Sequence, residues 1–213
     1  SSQVHFMLGL VHTKMRNYDK AIGAFDQSLS LDGNNAETLI NRGTVKYYQH
    51  QLEAAEIDLK AAMQIDPLEP NTYNAMSIIE TERGDFQKAL ELVNQALGLE
   101  KDQAYFLNNR GYIYLNLNEL EKAKADIDRS IIKDPNNGWA YRNKGYYYYL
   151  LGEYEKAVPL YDQASKLDAF IDKIYLFKSL NYQKLGKPTE ACENFQKAKE
   201  NKEDVAELVG YCL

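Results

Sequence analysis

Residues 104 to 137 read AYFLNNRGYIYLNLNELEKAKADIDRSIIKDPNN, and the placing of small and large side chains within them decides the fold. Gly111, Ala123 and Ser130 are small, while Tyr114 and Ile127 supply bulk beside them. Ala123 and Ile127 share one face of a helix, because the side-chain period there is about 3.6 residues. Moving 34 residues in either direction recovers the same arrangement. Ala21, Ala55, Ala89, Ala123, Ala157 and Ala191 keep that interval without a slip, and so do Gly9, Gly43, Ser77, Gly111, Gly145 and Ser179. Phe25, Leu59, Val93, Ile127, Tyr161 and Phe195 follow the alanines by four residues, and Ser28, Ala62, Ala96, Ser130, Ala164 and Ala198 make a fourth series. Four registers held over six copies define a repeat whose units bury their apolar faces on one another.

Each copy holds two amphipathic segments joined by a turn. Where the two helices cross, a side chain larger than a methyl would push their axes apart, so Gly111 and Ala123 mark a close approach. Gly84, Asn118, Gly152 and Gly186 suit the left-handed residue that ends a first helix. Asp66-Pro67 and Asp134-Pro135 interrupt the chain between copies.

This pattern resembles the tetratricopeptide repeat (TPR), in particular that of bacterial TPR-containing proteins. The resemblance implies an all-α fold: a right-handed α-solenoid of six helix-turn-helix repeats followed by a closing helix. With the glycine series at the eighth position, one array spans 1–213, with repeats at 2–35, 36–69, 70–103, 104–137, 138–171 and 172–205 and a closing helix at 206–213. The family's aromatic at the fourth position is here His5, Leu39, Tyr73, Leu107, Tyr141 and Tyr175, and its closing proline survives only as Pro67 and Pro135.

In the family, the first helix of each repeat lines a concave groove through its second, fifth, sixth, ninth and twelfth positions. On this chain those positions carry Asn41, Asn74, Asn108, Asn109 and Asn143, with Tyr105, Tyr112, Trp139, Tyr146 and Tyr149 around them. An amide pairs with the backbone of an extended peptide whatever its sequence, and Tyr and Trp bury much apolar area for little rotamer entropy. Tyr114, Tyr148 and Tyr182, at the eleventh position, are assigned to packing. Arg142, Lys173 and Lys184 gather at groove positions of repeats five and six, opposite in sign to Glu37 and Glu82, and would draw an acidic group. The expected function is a non-catalytic protein-protein interaction module that takes an extended peptide or partner segment in its groove. The alternative is a structural scaffold or assembly subunit held through its ends or convex face, either as a monomer or as a weak homodimer through terminal repeats. The family's clamp for chaperone tails is not expected, since Tyr112 and Phe177 stand where it needs Asn and Arg.

Composition narrows the field. A net charge of -6 over 213 residues speaks against nucleic-acid partners, whose binding rests on a basic field. No apolar run approaches the roughly 18 to 20 residues that a membrane-spanning helix needs. The chain opens Ser1-Ser2-Gln3 without a Met and reads as a trimmed product, so a missing leader carries no weight. No cofactor or metal site is expected: His5, His12 and His50 lack a Cys or carboxylate at ligand spacing, and no phosphate loop or nucleophile motif is present.

Cys192 and Cys212 each lie ten residues from Lys202. A turn near Asn201 would set them at one height in an antiparallel hairpin, roughly 15 Å from the turn. Ala191-Cys192-Glu193, with Lys197-Ala198 and the Tyr211-Cys212 ending, is similar to the terminal repeat of bacterial extracytoplasmic TPR proteins. A disulfide and two separate buried thiols both fit. The first favours the periplasm or cell envelope, the second a cytoplasmic home.

Overall fold

A computed structural model describes residues 1–168, 170–203, 205 and 212 of the chain. Twelve α-helices and no strand occur among them, and they fall into two compact units, Ser1–Lys101 and Asp102–Leu213. Unit one contains α1 (Ser2–Lys14), α2 (Tyr18–Leu31), α3 (Ala36–Tyr48), α4 (Leu52–Ile65), α5 (Pro70–Glu82) and α6 (Phe86–Leu99). Unit two contains α7 (Ala104–Asn116), α8 (Leu120–Lys133), α9 (Gly138–Leu150), α10 (Tyr154–Leu167), α11 (Ile174–Lys184) and α12 (Pro188–Glu200). In both units each odd helix pairs with the even helix after it, and hairpins stack through α2 on α3, α4 on α5, α8 on α9 and α10 on α11. The expected closing helix at 206–213 lies outside the described residues, apart from Cys212.

The recurring small residues sit where the helices cross. All six alanines of the first series are fully buried. A Cβ on Gly111 would come 2.6 Å from Ile127 Cγ1, and one on Gly145 would come 2.5 Å from Tyr161 Cε1, so the bulky residue of the second helix occupies the space the glycine leaves. Ser179 keeps the close approach by a different route, its hydroxyl donating to the Ala191 carbonyl at 2.7 Å. The serines of the fourth series tie a hairpin shut. Ser130 donates to the Ala104 carbonyl at 2.8 Å, and Ser28 donates to the Ser2 carbonyl at 3.0 Å.

The turns obey the same period more fully than the residue types announce. Gly84, Asn118, Gly152 and Gly186 adopt positive φ, and Arg16 and His50 do so at the two earlier copies of that position. Asp66 and Asp134, each before a proline, take extended backbone at the end of α4 and α8, as the proline ring requires. Side chains cap several starts: Asn35 accepts from the Thr38 amide at 2.8 Å and Asp85 from the Lys88 amide at 3.1 Å, satisfying donors that a helix leaves open.

Candidate functional site

In unit two, α9 lies between α7 and α11 and touches both, so the first helices of three hairpins form one layer. Most of the groove candidates fall on that layer, and the structure sorts them into two groups.

The first group turns inward. Arg142 is only 4% exposed and Asn143 is fully buried. Arg142 donates to Asn143 Oδ1 from Nε at 3.0 Å and from Nη2 at 2.8 Å, and from Nη1 to the Asp172 carbonyl at 2.7 Å. Three aromatic faces enclose the guanidinium: Trp139 at 4.8 Å, Tyr112 at 5.0 Å and Phe177 at 5.6 Å from ring centre to Cζ. Asn143 Nδ2 then donates to Asn108 Oδ1 at 2.8 Å, and Asn108, also buried, reaches Asn109 Oδ1 at 3.4 Å. A charge withdrawn from water needs acceptors or π faces to offset its lost hydration, and this network supplies both. The expected asparagine ladder is therefore corrected: Asn108 and Asn143 spend their amides on each other and on Arg142, and Arg142 is a bolt joining α9 to the loop before α11.

The second group faces outward. Tyr105 is 50% exposed, and Tyr112, Trp139, Tyr146, Tyr149 and Asn109 are half-buried. Tyr146 stacks on Phe177 with ring centres 4.6 Å apart and on Tyr149 at 6.1 Å, and Tyr149 meets Tyr154 at 5.5 Å. Tyr146 and Tyr149 are thus held in place before any partner arrives. Beneath them lies Tyr161, whose buried hydroxyl has no hydrogen-bond partner, and burial pushes its pKa well above the usual phenol value.

The basic cluster does not assemble as expected. Lys173 precedes α11 with φ of 59° instead of projecting from a helix, because α11 begins only at Ile174. Glu203 caps that start, accepting from the Leu176 amide at 2.7 Å and the Tyr175 amide at 3.3 Å. Burial holds the Glu203 carboxyl up at about 7 despite those bonds. Lys184 is exposed in the last turn of α11. Asn41 and Asn74 belong to unit one, on α3 and α5. Asn41 is half-buried and donates back to the Glu37 carbonyl at 2.8 Å. Phe177 and Tyr161 join the ring cluster without a signal in the groove positions: Phe177 stands where the chaperone clamp has an arginine, and Tyr161 lies on a second helix.

A disulfide joins Cys192, on α12, to Cys212, with Cα atoms 5.5 Å apart. Among the described residues no group of three His, Cys, Asp or Glu side chains is placed to hold a metal, and no helix is long and apolar enough to cross a membrane.

Comparison with known families matches three models, each described as a tetratricopeptide repeat, at residues 2–35 and 104–137, at 127–158 and at 172–205. The chain belongs to the tetratricopeptide-repeat family. Over 92 residues this TPR protein is 27% identical to the human mitochondrial import receptor subunit TOM70. That match covers 43% of the chain and 15% of the receptor. Its fold is similar to TTC0263, a thermophilic TPR protein of Thermus thermophilus, with a TM-score of 0.72 at 18% identity, covering 87% of this chain and 99% of that one. PilF of Pseudomonas aeruginosa superposes with a TM-score of 0.65 at 16% identity over 93% of this chain and 90% of its own. At such identities the structural likeness establishes the fold, an all-α TPR solenoid. TPR repeats are protein-protein interaction modules and typically carry no catalysis, which defines the general function of this chain.

Proposed function

We propose that the outward face of α7, α9 and α11 takes an extended segment of a partner protein, gripped mainly by aromatic rings. The supporting observation is the set of exposed or half-buried rings Tyr105, Tyr112, Trp139, Tyr146 and Tyr149 on these helices, among which Tyr146 stacks on Tyr149 and Phe177 and meets Tyr112 at a tilt, while Trp139 lies against Arg142. Rings fixed before binding lose little entropy when a partner covers them. Each ring in such a surface contributes on the order of 1 to 2 kcal/mol, so a few of them reach micromolar affinity, near -8 kcal/mol.

The double variant Tyr105→Ala, Tyr149→Ala tests this. Both side chains reach solvent, so the helical content seen by circular dichroism stays constant. Capture of the partner from native extract should weaken by about tenfold or more. Unchanged capture would transfer the function to the alternative, a scaffold held through its second helices, where Ile57 on α4 and Ile132 on α8 stand 69% and 77% exposed. The Cys192–Cys212 pairing supports residence in an oxidising compartment such as the bacterial periplasm.

A further inference from the structure

Tyr161 carries an oxygen that its place in the repeat does not require. It belongs to the series Phe25, Leu59, Val93, Ile127, Tyr161 and Phe195, and the other five do their packing with hydrocarbon alone. Phe25 shows that a plain ring is enough. A Cβ on Gly9 would come 2.4 Å from Phe25 Cε1, and one on Gly145 would come 2.5 Å from Tyr161 Cε1, so the two rings fill the same crossing in two copies. Phe25 and Tyr161 are 0% and 1% exposed. The Tyr161 hydroxyl is nevertheless buried with no hydrogen-bond partner among the described residues, at a desolvation cost that phenylalanine would not incur. A buried polar atom that breaks the packing rule of its own repeat, without a gain inside the fold, points to a use at the surface above it.

The surroundings of the hydroxyl define that use. Burial, then Tyr146 and Tyr149, hold the phenol protonated, while Arg142 favours negative charge at the oxygen. All three residues stand at groove positions of α9, and the Phe177 ring on α11 is 6.3 Å from the Tyr161 ring. Tyr161 is therefore an unused donor in the field of a cation. Arg142 is in a matching condition. It donates to the Asn143 carboxamide oxygen and the Asp172 backbone carbonyl, which engages three of the five N–H groups of a guanidinium. The Asp172 carboxylate lies instead beside Lys173, at 3.9 Å, and Glu203 gives both its oxygens to the α11 amides. Among the described residues the partners of Arg142 are thus neutral acceptors and three rings, with no carboxylate.

We propose that Tyr161 and Arg142 select a carboxylate side chain, Asp or Glu, in the bound segment: it enters beside the Tyr146 ring, accepts from the Tyr161 hydroxyl and supplies the guanidinium with opposite charge. This rests on the ring face of α7, α9 and α11 being the surface that takes the segment. Arg142 acts here through its field, while its hydrogen bonds go on holding α9 to the loop before α11. A poorly hydrated cation attracts an anion more strongly than an exposed one does. A side chain without an acceptor leaves the Tyr161 donor unpaired, and a neutral acceptor leaves the charge unopposed, so both are disfavoured against a carboxylate.

Trp139 is the one tryptophan of the chain and lies 4.8 Å from Arg142, so its fluorescence reports on the site. The probe is a tripeptide of glutamate between two phenylalanines, blocked at both ends so that the side chain is its only charge, compared with the same peptide carrying glutamine. The expected result is a saturable change of Trp139 emission with the glutamate peptide and binding about tenfold weaker for the glutamine peptide. Tyr161→Phe should bind the glutamate peptide about tenfold more weakly than the parent, yet unfold in urea at the parental midpoint or above it, because it removes only an unpaired oxygen. Equal affinity for the two peptides, or a Tyr161→Phe variant that binds glutamate as the parent does, would overturn the proposal and leave the ring face standing. A lower midpoint in Tyr161→Phe would overturn it as well, by showing that the hydroxyl is already satisfied within the fold. A parent chain that binds neither peptide would overturn both the carboxylate site and the ring face.

Discussion

Arg142→Ala is expected to destabilise unit two by about 3 kcal/mol, because it leaves buried acceptors with nothing to accept from. The Asn143 carboxamide oxygen and the Asp172 carbonyl would lose their donors, and Trp139, Tyr112 and Phe177 would face a cavity in place of a guanidinium. Arg142→Lys should recover little. An ammonium cannot present a planar fork to Asn143 and Asp172 while stacking between rings. Urea unfolding followed by aromatic circular dichroism reads the effect as a lower midpoint at unchanged slope. A midpoint equal to that of the parent in Arg142→Ala would mean that the guanidinium is solvated and free, and would return it to the list of ligand-facing groups.

Reducing the Cys192–Cys212 disulfide should cost about 3 kcal/mol, the chain-entropy value for a closed loop of about twenty residues. The bond spans 20 residues and anchors the end of the chain to α12. The loss should be local. α11 and α12 carry the last hairpin, and the connector before α11 depends on Glu203 to cap its amides, a residue inside the closed loop. Hydrogen exchange on the reduced protein, or on Cys192→Ala with Cys212→Ala, should accelerate in α11 and α12 and remain at parental rates in α1 to α6. Uniform acceleration would contradict a local role, and unchanged exchange throughout would mean that the bond contributes nothing to the folded state.

The fold was legible from the sequence because one contact recurs. Gly111 against Ile127 and Gly145 against Tyr161 are the same crossing in two copies, and a packing rule repeated every 34 residues stands out from any single residue's ambiguity. The period even held information that residue type concealed. Arg16 and His50 adopt the left-handed turn that Gly84 and Gly152 mark openly, and only their spacing betrays it. The site was legible in outline, down to the row of rings on the first helices of unit two. It was not legible in its polar detail, for a physical reason. Asn143 and Asn108 are 35 residues apart and meet only when two hairpins have stacked, and the burial of Arg142 needs Phe177 from a third. A position rule tells which way a helix face points, but not whether neighbours fold over it. The displaced start of α11 belongs to the same class: Asp172 is held by Arg142 and the helix is capped from beyond α12, so its first turn answers to distant partners.

The first-helix layer of unit two is the surface proposed to meet the partner. Site-directed photo-crosslinking tests it most directly, with a photoreactive side chain placed at Tyr105 on α7 or at Ile132 on α8, both open to solvent. A partner that crosslinks from position 105 and not from 132 is the predicted result. Crosslinking from 132 with silence at 105 would contradict it.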